Sequence, residues 1–107
     1  MKVKTSELKG AALDWAVSYC VEWSNKFPIM PFRVLSYSTD WAQGGLIIER
    51  EGISVYFENG DWHAKAQSKP VTYYDYSPLV AAMRCYVASK LGDEVEVPDE
   101  ILEGEQA

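Results

Sequence analysis

The chain has 107 residues, 48% of them apolar, and a net charge of −6; a chain of this size buries about two thirds of its unfolded surface and folds without metal or disulfide staples. The acidic balance argues against a nucleic-acid partner, which needs a basic face to release counterions. No apolar run approaches the roughly 20 residues of a membrane span, and no signal core follows Met1-Lys2-Val3-Lys4, so the expectation is a soluble cytoplasmic protein with no membrane partner.

Residues 2–5 read as a short strand, with Thr5 or Ser6 placed to cap the helix that follows. From Leu8 to Trp23 the pattern is helical, and Asp14, Ser18 and Glu22 fall on one narrow stripe of it. The rest of that helix is nearly all apolar, so it should be covered on more than one side. Gly10 weakens its first turn, which moves the regular start to that position. Residues 24–37 hold Pro28 and Pro31 and read as a loop closing with a short strand at 33–37.

Next comes "STDWAQGGLIIEREGI", residues 38–53. Ser38, Thr39 or Asp40 can cap a helical turn at 39–43. Gly44-Gly45 then turns the chain, and a second short helix at 46–51 ends at Gly52, where a left-handed residue belongs. Residues 53–58 and 61–66 alternate around Asn59-Gly60, a favoured type I′ hairpin turn. Residues 67–76 read as a polar, tyrosine-rich connection. Ser77-Pro78 starts a helix over 78–91 that stops at Gly92. One arc of that helix is bulky (Leu79, Met83, Tyr86, Val87) and the other small (Ala81, Ala82, Cys85, Ala88). A helix with a small face admits a close neighbour, so this one belongs between two layers or against a second copy of the chain. Residues 94–97 read as extended, and Pro98 to Leu102 as one helical turn.

The expected fold is therefore α+β: two main helices, about 8–23 and 78–91, on a small antiparallel sheet centred on the 53–58 and 61–66 hairpin. Residues 1–97 form the expected globular domain, and 98–107 an acidic mobile tail. Charge supports this division. Residues 91–107 carry seven acids and no base, whereas residues 1–90 are almost balanced. Cys20 and Cys85 lie far apart in apolar helical patterns and read as reduced, buried thiols.

Three blocks, "MKVKTSELKGAALDWAV", "STDWAQGGLIIEREGI" and "LVAAMRCYVASKLGDEVEVP", together resemble the NinX-like family of small proteins from lambdoid phages and enterobacterial prophages. The likeness covers residues 1–23 and 38–100 and departs at Leu46, where the family is expected to carry Pro. The resemblance implies a phage accessory protein working in the bacterial cytoplasm, and no mechanism.

The residues themselves carry no catalytic signature. His63 is the single histidine, so no protein metal site and no cofactor is expected, and no nucleophile stands in a recognised motif. Two surfaces remain. At the first, Gly44 and Gly45 would expose backbone N–H groups to an anion, with Trp41 stacking on a planar group and Arg50 supplying a guanidinium fork. The competing reading is a turn that only re-aims the chain. At the second, Tyr73, Tyr74 and Tyr76 either contact a partner or close one edge of the core. Arg84 is a further candidate contact residue, which would join Trp41 and Arg50 if the three converge on one concavity. Two functions follow: a non-enzymatic adaptor or modulator that binds a host or phage protein, with a homodimer as one arrangement, or a binder that sequesters a nucleotide-like ligand used in host defence.

Overall fold

The structure, a computed structural model, describes residues 1–24, 34–67 and 71–106. Among them, four helices and two antiparallel sheets form an α+β fold.

Strand β1 (Lys2–Lys4) leads into a 3-10 turn at Thr5–Glu7 and then helix α1 (Gly10–Ser24). The helix starts at Gly10, as its helix-weakening character suggests. Thr5 does not cap it. Its hydroxyl instead donates to the Gly92 carbonyl at 2.6 Å, and its N–H donates to the Asp93 carbonyl at 2.8 Å. These bonds stitch the start of the chain to the end of the last long helix. The Asp14–Ser18 stripe also has a structural use: Asp14 accepts from the Ser38 N–H at 2.8 Å and Ser18 from the Leu35 N–H at 3.2 Å. α1 thereby holds the segment that enters the next helix. That segment contains no strand over 34–37, where residues 37–39 form a turn; Pro28, Pro31 and residue 33 lie outside the described residues.

Helix α2 (Trp41–Glu51) runs straight through Gly44-Gly45. The two expected short segments are joined, and the glycines do not turn the chain. Asp40 supplies the N-cap, accepting from the Ala42 N–H at 2.9 Å, and Gly52 ends the helix in the left-handed region at φ 65°. The reason for Gly44 lies in packing. A Cβ there would collide with the Tyr37 carbonyl oxygen and come within 2.7 Å of Leu79 Cδ1. Glycine lets α2 sit directly on the start of the helix that Leu79 belongs to.

Strands β2 (Ser54–Glu58) and β3 (Asp61–Lys65) form the hairpin, with Asn59 and Gly60 at φ 54° and 86° as the type I′ turn requires. A third strand, β4 (Thr72–Asp75), pairs antiparallel with β3 in the register Ala64 to Tyr73 and His63 to Tyr74. The tyrosine-rich connection thus closes the sheet, in the order β2-β3-β4.

Helix α3 (Pro78–Leu91) is capped by Ser77, which accepts from the Val80 N–H at 3.3 Å. Ala81 to Ala88 are all buried, which takes every side of two turns out of water. α3 packs against α1, α2 and all three strands of the larger sheet, so it is the central element. Strand β5 (Glu94–Glu96) pairs with β1 as a second sheet, where the Met1 ammonium donates to Glu96 at 2.9 Å. Helix α4 (Asp99–Gln106) then packs along α1, with Ile101 and Leu102 half-buried against the core.

Candidate functional site

Strand alternation sends Ala64 and Tyr73 into the core and Tyr56, His63 and Tyr74 to the outer face of the sheet. These three outer side chains lie directly across from one another in the register. Their rings form a ladder: Tyr56 stacks on His63 at 5.2 Å and 9° between planes, and His63 meets Tyr74 at 5.9 Å. Cross-strand pairing holds the three rings against one another. Tyr74 is 62% exposed and Tyr76, just beyond β4, 86%. Phe57 is exposed as well, packed edge-on against Trp62 near the hairpin tip.

Beside this face lies a cleft of about 770 Å³ between β4 on one wall and β1, the 3-10 turn and the start of β5 on the other. Arg84 lies in its lining, 8% exposed. Its Nε donates to the Leu8 carbonyl at 2.6 Å, and its Nη1 donates to the Tyr74 carbonyl at 3.0 Å and to Asp75 Oδ1 at 3.2 Å. Asp75 Oδ2 in turn accepts from the Ser77 N–H at 2.9 Å. Tyr73 reaches Asp93 through its hydroxyl at 3.5 Å, and burial, with the nearby Asp93 carboxylate, raises the phenol above its usual range.

The residues singled out from sequence divide into two groups. Tyr73, Tyr74 and Arg84 come together along the cleft. Trp41, Gly44, Gly45 and Arg50 share α2 but do not share a face. Nine residues separate Trp41 from Arg50, which puts them on opposite sides of the helix and about 13 Å apart along it. Trp41 is 55% exposed, whereas Gly44 is buried and its N–H donates to the Asp40 carbonyl at 2.9 Å. Arg50 contacts Glu51 at 3.3 Å and the Tyr86 hydroxyl at 3.4 Å. Sequence reasoning passed over Asp75 and Asp93. An Asp two residues before a Ser-Pro helix start was the available signal for the first, since an Asx side chain commonly accepts from the N–H two residues on. The second gave no signal, because only the fold brings it to Tyr73.

Residues 4–90, which run from the last residue of β1 to the final turn of α3, match the family described as bacteriophage P22, NinX. The chain belongs to the phage P22 NinX family. No curated protein matches it. The aromatic ladder and the β4 wall of the cleft lie within the NinX match, whereas β5 and α4 follow it. In this NinX protein no helix among the described residues is long and apolar enough to cross a membrane.

Proposed function

We propose that this phage protein acts in the cytoplasm of the infected bacterium as a non-enzymatic adaptor or modulator. It binds a host or phage protein through the outer face of the β2-β3-β4 sheet. The ladder of Tyr56, His63 and Tyr74 carries this reading. Exposed aromatic rings contribute large contact area at little rotamer entropy, and here the strands already hold them in place. Tyr76, just beyond β4, extends the aromatic area, and contiguous exposed apolar surface of this kind marks interaction sites.

Support for the alternative, a sequestered nucleotide-like ligand, is thinner. It retains the exposed Trp41. The Gly44 N–H, however, is committed within the helix cap, and Arg50 lies across the helix.

A double variant, Tyr56→Ser with Tyr74→Ser, tests the interaction reading. Proteins captured from phage-infected cells on the wild-type chain should be lost on the double variant. They should be retained on Leu46→Ser, which alters an exposed apolar residue of α2 instead. Equal recovery on all three baits would overturn the reading. Sedimentation separates a foreign partner from self-association, since a dimer broken by the same double variant would make the partner a second copy.

A further inference from the structure

We infer that the cleft beside β4 receives a lysine or arginine side chain carried on an extended segment of the partner protein. This inference rests on the interaction reading above and names the chemistry its partner must bring.

The charges on the cleft wall decide the sign. Five carboxylates and two cations line it. The Arg84 guanidinium is spent on Asp75 and on the Leu8 and Tyr74 carbonyls. Glu7, Asp61, Asp93 and Glu94 then face the cleft with Lys4 as the remaining base. Among the described residues no ion pair reaches any of these four carboxylates. A concave wall with an excess of negative charge focuses its field, so an incoming cation gains more there than on a flat surface. Tyr74 and Tyr76 also line the cleft, and the faces of such rings attract ammonium and guanidinium groups. A phosphate backbone would meet repulsion at the same place.

The shape favours a chain segment over a free amine. At about 770 Å³ the cleft far exceeds one side chain, and it opens beside Tyr74, one rung of the aromatic ladder. A partner lying on the ladder can therefore extend into the cleft without a break. β4 is an outer strand, which suggests strand addition as the binding mode. Arg84 already occupies the Tyr74 carbonyl, however, so recognition rests on side chains rather than on a continuous backbone ladder.

Fluorescence anisotropy with short labelled peptides tests this on the full chain. An otherwise neutral peptide carrying several Arg should bind, whereas the same peptide with Glu or Gln in their place should not. Rising salt should weaken the binding. The triple variant Glu7→Gln, Asp93→Asn, Glu94→Gln should lose affinity by about tenfold or more. A matched triple outside the cleft, Glu49→Gln, Glu100→Gln, Glu103→Gln, should lose little. No binding of the Arg peptide, equal loss in both triples, or spermine binding as tightly as the peptide would each overturn the inference. Should the Tyr56/Tyr74 variant still lose the infected-cell partner while Arg peptides fail to bind, the interaction reading stands and the cleft assignment falls.

Discussion

Cys20 and Cys85 read from sequence as buried, reduced thiols, and both are free and buried in the core. Burial pushes the Cys20 thiol up from 9.0 to about 12, against the weaker downward pull of the Lys90 ammonium. Burial raises Cys85 too, opposed by a hydrogen bond with the Ala66 backbone. The sign of the pH effect follows. The unfolded thiol ionises near pH 9 while folded Cys20 keeps its proton. Its contribution to stability is therefore complete below that pH and disappears as pH rises towards about 12. Near pH 8 neither thiol should react with a disulfide reagent in the native state, and both should react in urea. Between pH 8 and 10 the melting temperature of Cys20→Ala should fall less than that of the wild type, measured in the same buffers. Rapid native-state labelling, or parallel slopes, would contradict the assigned burial effect.

At the scale of elements, α2 shows how far periodicity reaches. Its stop at Gly52 is legible and its cap is narrowed to Ser38, Thr39 or Asp40, of which Asp40 serves, because both ends depend on local backbone chemistry. The continuity through Gly44-Gly45 is not, because paired glycines are locally a helix penalty and the compensation lies in Tyr37 and Leu79. The two glycines should therefore respond oppositely to alanine. Gly44→Ala should destabilise by about 1–3 kcal/mol through overpacking, net of its better helix propensity. Gly45→Ala meets only the Trp41 ring at an ordinary 3.7 Å and should stabilise by up to about 1 kcal/mol. Urea unfolding of the two variants reads both signs. β4 escaped the sequence for a related reason. "VTYYDY" does not alternate cleanly, and pairing with β3 decides which tyrosine goes inward.

For the whole molecule, Arg84 is the tie. It leaves the central helix and binds the chain just before α1 and the last residues of β4, so one guanidinium holds three elements. Arg84→Met should cost about 3 kcal/mol or more, because it strands buried carbonyls and unpairs Asp75. Arg84→Lys should recover little of this, since a point ammonium cannot span the guanidinium's set of acceptors. Thermal melts of the two variants check the order. A wild-type-like Arg84→Met would show that the tie contributes nothing. Such a loss is a large share of the stability of a small domain.

The two long helices, the Asn59-Gly60 hairpin, the Ser77 cap, the Gly52 stop and the family are all readable in the sequence. Each of these is written in neighbours along the chain: a repeat of apolar residues, a capping side chain, a run of matching letters. Tertiary structure alone decided that Gly44 is a contact point within a continuous helix, that β4 exists, and that Tyr73, Tyr74, Arg84 and Asp93 meet. Those facts depend on pairs of residues distant in sequence, whose interaction becomes favourable only after α3 has been enclosed and the backbone around it has lost access to water.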